Sequence, residues 1–284
     1  MGLIGAHVSI AGGIELSIER GDELLCDSIQ IFIQSSRTWK SAPLSEESVR
    51  AFRENKKNAK HVKRVVAHNS YLLNLSTANE EVREKSVGHF IELYEKCERL
   101  GIEGLITHPG SHLGAGMESG IKQTSRSLDE VMAVCKGFKA KILLENTAGQ
   151  GGCVGHRFEQ LSAIAAGTKD PDRIGYCFDT QHAFAAGYDL RTEAAYEATF
   201  AEWDKQVGAH RINAFHLNDA IKELGTLVDR HENIGKGQIG ELPFRKLMND
   251  ARFNDVPMCL ETAPGDDNEN YVRELKLLRS FIAS

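Results

Sequence analysis

The sequence has few of the features that mark secreted, membrane-bound or disulfide-rich proteins. None of its apolar runs is long enough to span a bilayer, and its first ten residues carry no basic segment, so neither a membrane anchor nor a signal peptide is expected. The six cysteines include no C-x-x-C pair, which indicates reduced, mostly buried thiols and a cytoplasmic location. With only six prolines and no low-complexity linker, the chain is predicted to form one domain over residues 1–284.

The chain also lacks an excess of positive charge. Its 34 lysines and arginines are outnumbered by 40 aspartates and glutamates, which gives a formal net charge of −6. Because polyanions favour basic proteins, this balance taken alone argues weakly against a nucleic-acid partner. A single site that binds metal ions can have the opposite sign, so the total does not decide the question.

Eight short apolar segments recur along the chain, and longer amphipathic segments separate them. Each is rich in Ile, Val, Leu, Phe, Ala or Cys, as expected for strands buried on both faces. Among the helical segments, one begins at Ser45 and another ends at Gly101, both typical capping residues. Alternating units of this kind predict an α/β fold, a (β/α)8 TIM barrel, in preference to a doubly wound open sheet. The apolar segments are 3–9, 28–33, 63–68, 104–108, 141–146, 173–179, 212–218 and 257–262.

Each of the last six of these segments has a polar residue at or near its end. One side chain that can bind a metal ends each segment, in chain order His68, His108, Glu145, Asp179, His216 and Glu261. Three further candidates lie just beyond strand ends, namely His182, Asp229 and His231. A single residue of this kind more often makes a loop hydrogen bond than a metal bond. Six in succession are different, because the carboxyl ends of barrel strands meet at one mouth.

The chemistry of these nine side chains favours several divalent cations. Four carboxylates packed together would repel one another strongly unless cations neutralise them, which neutral imidazoles cannot do. Nitrogen and oxygen donors without thiolate favour Zn²⁺, with Mn²⁺ or Fe²⁺ as alternatives. Nine ligands suffice for three ions at three protein ligands each, which leaves open coordination positions, as is typical of catalytic sites. Three divalent cations would also outweigh the four carboxylates, so the barrel mouth would carry a net positive charge suited to an anionic substrate. Spacing alone would place Asp179 and His182 on one ion.

The segments around these residues resemble those of the endonuclease IV family, the zinc-dependent apurinic/apyrimidinic endonucleases (AP endonuclease family 2). The resemblance covers nearly the whole chain. It implies a TIM barrel with three zinc ions that cleaves double-stranded DNA 5′ to an abasic site, leaving a 3′-hydroxyl and a 5′-deoxyribose phosphate. It further implies a role in base excision repair, a monomer and no membrane partner. The matching segments are GAHVSIAGG, HNSYLLNL, THPGSHLG, LLENTAGQGG, FDTQHAFAAGYDLRT, FHLNDA and DRHENIGKGQIG.

The same resemblance implies which residues bind each zinc ion. The first ion would be bound by His68, His108 and Glu145. Glu145 would bridge to a second ion, which is completed by Asp179, His216 and Glu261. The third would be bound by His182, Asp229 and His231, so the family pattern separates Asp179 from His182. A hydroxide between the first two ions would attack the phosphorus, with Glu145 and Glu261 as the catalytic residues.

The resemblance also implies how DNA is contacted. Arg37 and Tyr71 match residues that enter the duplex, and Leu72 lies beside Tyr71 as an apolar wedge. His7 and His112 are expected to support the ligands without binding metal themselves.

Three residues depart from the usual family pattern. The departures are Asn69, Gln181 and Leu227, none of which is an expected ligand.

One glycine-rich segment has the pattern of a dinucleotide-binding loop. GKGQIG matches G-x-G-x-x-G but follows a polar loop, so a dinucleotide site is not expected.

Two other functions stay open. A sugar isomerase or epimerase uses the same barrel with fewer ligands, and a DNA-binding protein would need no catalytic metal. Metal content near three per chain and nicking of an abasic duplex would discriminate among the three.

Overall fold

Eight parallel strands close into a barrel, as the alternating segments predicted. The computed structural model describes residues 2–34, 38–39 and 43–283. Around the barrel the strands follow the order β1, β10, β7, β6, β5, β4, β3 and β2, all as parallel neighbours. The strands are β1 Leu3–His7, β2 Ser28–Phe32, β3 Arg64–His68, β4 Gly104–Thr107, β5 Lys141–Glu145, β6 Ile174–Asp179, β7 Ile212–Leu217, β8 Asp219–Ala220, β9 His231–Glu232 and β10 Pro257–Leu260.

Helices connect the barrel strands and cover the outside of the barrel. The predicted helix start holds, because the Ser45 side chain accepts a hydrogen bond from the Ser48 backbone N–H at 3.1 Å. The predicted end at Gly101 holds too, where φ of 70° is easily adopted only by glycine. The α-helices are α1 Leu16–Glu23, α2 Glu46–Asn58, α3 Glu80–Leu100, α4 Met117–Val134, α5 Phe158–Ala166, α6 Thr180–Ala185, α7 Glu193–Gln206, α8 Leu242–Met248 and α9 Glu269–Ser280. Short 3-10 turns lie at Gln150–Gly152, Pro171–Arg173, Ala209–Arg211, Ala251–Phe253 and Asp266–Asn268.

The barrel interior contains a small apolar layer that is separate from the main core. Its members are almost fully buried, and each precedes a predicted ligand by two residues. Because side chains alternate along a strand, a residue and its second neighbour point to the same side, here the barrel axis. The layer therefore forms the floor on which the predicted ligands stand. It consists of Val66, Ile106, Leu143, Cys177, Ala214 and Cys259.

Two short elements near the barrel mouth were not predicted. Strands β8 and β9 form an antiparallel ribbon that pairs Ala220 with His231. Helix α6 begins directly after β6, and the Asp179 carboxylate accepts a hydrogen bond from the His182 backbone N–H at 2.8 Å. Asp179 thus caps the helix whose first turn carries His182, which explains why the apolar strand ends in these two polar residues. In the part of the chain that is described, no helix combines the length and apolarity needed to cross a bilayer.

Candidate metal centre

All nine predicted ligands meet at the carboxyl ends of the barrel strands. Eight of them offer donor atoms in three groups, and the atoms of each group lie within 4.8 Å of one another. Asp229 adjoins the group that contains both His182 and His231. The convergence follows from barrel geometry, while binding of metal by these residues stays a prediction. The groups are His68, His108 and Glu145; Glu145, Asp179, His216 and Glu261; and Asp179, His182 and His231.

Glu145 lies at the centre of the cluster and is fully buried. Its Oε2 lies 3.0 Å from His68 Nε2 and 3.1 Å from His108 Nε2. Its Oε1 lies 2.8 Å from His216 Nδ1. One oxygen therefore faces the first group and the other faces the second, which is the arrangement that a bridging carboxylate needs.

Three carboxylates surround Nδ1 of His216 in the second group. Besides Glu145, the nearest are Glu261 Oε2 at 3.1 Å and Asp179 Oδ2 at 3.6 Å. Asn218 supports two of them, since its Nδ2 donates to Asp179 Oδ2 at 2.7 Å and its Oδ1 accepts from the Glu261 backbone N–H at 3.1 Å.

In the third group, the two ring nitrogens of His182 face different neighbours. Nδ1 of His182 lies 2.9 Å from the Asn146 carbonyl oxygen and 3.8 Å from Asp179 Oδ2. Its Nε2 points the other way, 3.3 Å from Asp229 Oδ2, and His231 Nε2 lies 3.3 Å from Asp229 Oδ1. Asp179 offers an atom within the group's 4.8 Å span, yet Asp229 is the closer carboxylate to both free ring nitrogens. This geometry favours the family assignment over the one from spacing.

The spacing of the donor atoms is compatible with divalent cations. Two ligands of a tetrahedral zinc ion, at roughly 2.0–2.1 Å from the metal, lie roughly 3.3 Å apart. The closest donor pairs here lie 2.8 to 3.3 Å apart. In addition, Nε2 of His182 and Nε2 of His231 are buried and have no hydrogen-bond partner. A buried polar atom without a partner is costly, so both nitrogens fit a metal ion.

Four of the five histidines are oriented by a second contact. In each, one ring nitrogen lies near a carbonyl or amide oxygen, which orients the ring plane and favours the tautomer protonated at that nitrogen. In His182 the same nitrogen, Nδ1, also lies 3.2 Å from Glu145 Oε1. The pairs are His68 Nδ1 with the Asn69 carbonyl at 2.9 Å, His182 Nδ1 with the Asn146 carbonyl at 2.9 Å, His216 Nε2 with Gln30 Oε1 at 2.6 Å and His231 Nδ1 with the Glu261 carbonyl at 3.4 Å.

Carboxylates and imidazoles shift one another's pKa when no cation is bound. Burial alone would lower the pKa of His182, but the negative charge of Asp179 and the nearby carboxylates of Asp229 and Glu145 raise it well above its usual value. Burial would likewise raise the pKa of Glu145, yet the neighbouring His216 and His108 hold it well below its usual value. Glu145 is thus kept ionised for cations, and metal binding at His182 must release its imidazole proton.

The two histidines expected to support the ligands differ in their surroundings. His7 lies 3.8 Å from Glu261 Oε1 through its Nδ1, so it contacts a predicted ligand. Nδ1 of His112 accepts hydrogen bonds from the backbone N–H groups of Gly114 and Gly116, at 3.1 and 3.3 Å. These contacts of His112 organise the turn before α4 and involve no predicted ligand.

The predicted DNA-contact residues flank the first group. Tyr71 is 66% exposed, and its ring packs against those of Phe32 and His68 at 5.4 and 5.9 Å between centroids. Tyr71 and the half-buried Leu72 line a cleft of about 420 Å³ together with His68 and His108. An exposed aromatic ring at the rim of this cluster of donor side chains is well placed to contact a bound molecule. Arg37 lies outside the described residues.

The three departures from the family pattern brace the site. Nδ2 of Asn69 donates to Thr107 Oγ1 at 2.6 Å, and Nε2 of Gln181 donates to the Val228 carbonyl at 2.9 Å. The Leu227 backbone N–H donates to the Ala185 carbonyl at 3.0 Å, while its side chain is exposed. Gln181 and Leu227 therefore attach the segment that carries Asp229 to α6.

The glycine motif GKGQIG wraps around a buried carboxylate, that of Asp219. The Asp219 oxygens accept hydrogen bonds from five backbone N–H groups, which belong to Ala220, Gly235, Gly237, Ile239 and Gly240 at 2.8 to 3.3 Å. Gly237 is required there, because a Cβ would lie 2.4 Å from the Ala220 carbonyl oxygen. The loop after His231 is thus held by Asp219, which explains the glycines without a dinucleotide.

Sequence reasoning missed Gln30, Asn146, Asn218 and Asp219. The last three lie within three residues of a predicted ligand, in the segments LLEN and HLND. That proximity is a signal for supporting residues, since a ligand at a strand end leaves its next neighbours at the same mouth. Gln30 gave no such signal.

Replacing Asp219 by Asn is expected to destabilise the loop that follows His231. The amide would present a donor to backbone N–H groups that already donate, and hydrogen bonds to a charged group contribute about 1.5–3 kcal/mol each. Thermal unfolding should show a loss of roughly 2–4 kcal/mol in the free energy of unfolding. The exposed Asp172→Asn serves as the control, and equal stability of the two variants would contradict the assigned role of Asp219.

Known proteins resemble the chain over almost its whole length. The profile of a family described as xylose isomerase-like TIM barrels matches residues 20–281. A protein of Geobacter sulfurreducens described as a probable endonuclease 4 is 47% identical over 279 residues, which are 98% of this chain and 94% of that protein. The crystal structure of endonuclease IV from Thermus thermophilus has a TM-score of 0.88 at 33% identity, covering 98% of each chain. A D-tagatose 3-epimerase-like protein has a TM-score of 0.73 at 21% identity, covering 98% of this chain and 96% of that one, a likeness of fold alone.

Proposed function

The chain belongs to the endonuclease IV family of DNA-cleaving hydrolases, and from that premise we propose that it cleaves double-stranded DNA 5′ to an abasic site in base excision repair. The convergence of nine nitrogen and oxygen donors at the barrel mouth carries the proposal. Such a cluster suits the anionic phosphodiester, and the adjoining cleft lined by Tyr71 gives DNA access to it.

Three divalent ions fit the three groups, and zinc suits their donors best. Glu145 supplies an oxygen to each of the first two groups, and the imidazoles make up the larger share of the ligands. Mn²⁺ or Fe²⁺ is the alternative at one position. When bound, such ions activate a water molecule and stabilise negative charge on the phosphate oxygens.

The protein residues have distinct roles in the proposed hydrolysis. Glu145 holds the first two groups at a fixed separation, and Glu261 orients the attacking water. The attacking water gives up a proton as its oxygen bonds to phosphorus in line, the bond from phosphorus to the 3′-oxygen breaks, and that oxygen takes up a proton. The products are a 3′-hydroxyl and a 5′-deoxyribose phosphate. His182, Asp229 and His231 would hold an ion whose positive charge would stabilise the negative charge that develops on the leaving oxygen.

A single duplex tests the proposal. One strand carries a tetrahydrofuran analogue of an abasic site, which cannot undergo β-elimination, so a nick 5′ to it with a 3′-hydroxyl is hydrolytic. We expect nicking by the zinc-loaded monomer, loss of nicking after chelation, and close to three metal equivalents per chain. A single metal equivalent together with epimerisation of a ketose and no nicking would favour the sugar-enzyme alternative.

Replacing Tyr71 by Ala is expected to weaken binding to the abasic duplex while the metals stay bound. Stacking of an aromatic ring on a base contributes about 1–3 kcal/mol, so the dissociation constant should rise roughly 10- to 100-fold. Because Tyr71 is largely exposed, folding should be unaffected. Fluorescence anisotropy measures the affinity, and Tyr71→Phe, which keeps the ring, is the control. Unchanged affinity of the alanine variant would count against insertion of this side chain.

A further inference from the structure

Each of the eight barrel strands places one residue, within the strand or directly after it, in the layer that contains the three donor groups. Six of these are predicted ligands, and the remaining two are His7 on β1 and Gln30 on β2. Gln30 stands two residues after Ser28, whose hydroxyl lies 3.6 Å from the thiol of Cys259 in the floor of the barrel. The alternation that places the ligands therefore places Gln30 among them, fully buried.

Both polar atoms of the Gln30 amide, the oxygen and the nitrogen, contact residues of this layer, three in all. Its Oε1 lies 2.6 Å from His216 Nε2. Its Nε2 lies 2.5 Å from Glu261 Oε1 and 3.0 Å from His7 Nδ1. The amide thus links two predicted ligands of the second group, one on β7 and one at the end of β10, through one rigid plane.

The chemistry of the contacts fixes the orientation of the amide. An ionised carboxylate only accepts hydrogen bonds, so the amide NH₂ must face Glu261 and the amide oxygen must face His216. His216 then has to carry its proton on Nε2, which leaves the lone pair on Nδ1. That is the nitrogen around which Glu145, Glu261 and Asp179 converge.

We propose that Gln30 is a positioning residue that fixes the tautomer of His216 and the plane of the Glu261 carboxylate, so that the second metal position is preformed. The inference rests on the proposed function for its relevance to catalysis, but it concerns metal binding itself. If the amide were removed, the His216 Nε2–H and one Glu261 oxygen would lose their hydrogen-bond partner inside the barrel. The two side chains would then be free to rotate away from the metal position. Loss of such a supporting contact typically weakens metal binding about 10- to 100-fold.

Two variants test the role of Gln30. Gln30→Met keeps the volume and removes both hydrogen bonds, whereas Gln30→Glu keeps an acceptor for His216 and places a second carboxylate against Glu261. The zinc-loaded proteins are titrated with a chelator of known affinity. We expect one zinc equivalent to bind about 10- to 100-fold more weakly in each variant, and the other equivalents to be unchanged. Gln206→Met, which removes an amide on α7 that bonds Glu202, is the matched control.

A spectroscopic measurement distinguishes positioning from general stability. Ring ¹⁵N shifts of His216, recorded on the metal-free proteins at a pH where the imidazole is neutral, should report the Nε2–H tautomer in the wild type and a mixture of tautomers in Gln30→Met. Wild-type zinc affinity of every equivalent, or an unchanged tautomer in Gln30→Met, would overturn the proposal. If Gln30→Met does not fold, the same titration of Gln30→Glu decides. A wild-type protein that binds zinc as expected but does not nick DNA would refute the proposed function and leave this inference standing.

Discussion

Replacing Glu145 by Gln is expected to abolish nicking of the abasic duplex, a loss of roughly 10³-fold or more. Metal ions contribute several kcal/mol to stabilising the transition state, and about 1.4 kcal/mol corresponds to a factor of ten. Glu145 faces His68, His108 and His216 at once, so the variant presents an amide NH₂ where a bridging oxygen is needed. Both of the first two metal positions should weaken together.

Single-turnover nicking and metal analysis of the same sample check this expectation. The matched control is Glu84→Gln, at an exposed position of α3, which should keep both activity and metal content. A Glu145→Gln protein with wild-type metal content and near wild-type nicking would refute the bridging role.

Replacing Glu261 by Gln is expected to slow nicking about 10²- to 10³-fold even when the metal positions are filled. Proton transfer and orientation by a positioned carboxylate typically contribute factors of this size. Glu261 keeps one oxygen 3.1 Å from His216 Nδ1 and turns the other to Gln30, so the uncharged amide retains the shape and loses the charge. The rate is measured at saturating zinc, with the metal content determined on the same protein.

The two glutamate variants are expected to differ in their metal content and in how their nicking rate responds to added zinc. Glu145→Gln should lose metal and rate together, whereas added zinc should restore the metal content of Glu261→Gln and not its rate. Recovery of the full rate in Glu261→Gln at full metal occupancy would show that Glu261 only binds metal.

The fold and the convergence of the site were predictable because both follow from local rules. The strands are buried on both faces and read as apolar runs, and each ends where a polar residue begins, as at Asp179. Once eight such units are recognised, closure of the barrel brings the strand ends together. The proposed assignment of Asp179 and His182 to different ions does not follow from spacing, because it depends on which ring nitrogen of His182 faces the Asn146 carbonyl.

The supporting residues were less predictable, for physical reasons. Gln30 lies inside an apolar strand, where a single polar residue has no sequence pattern. The two predicted ligands that it contacts, His216 and Glu261, are 186 and 231 positions away in the chain. The position of GKGQIG after a polar loop argues against a dinucleotide site, but the reason for its glycines emerges only when Asp219 is seen to accept hydrogen bonds from their N–H groups. The net charge of the chain argued weakly against a nucleic-acid partner, but a total over the whole chain does not describe the local charge at the barrel mouth.

The apolar floor of the barrel also determines how ions can travel. The six residues of that layer, Val66 and Leu143 among them, are apolar and almost fully buried, so they separate the predicted metal centre from the lower end of the barrel. If ions occupy the centre as proposed, they would enter and leave through the opening that also admits the substrate, and a bound duplex would cover them. Abasic DNA should accordingly slow the stripping of zinc by a chelator, an effect that undamaged DNA of equal length would show more weakly.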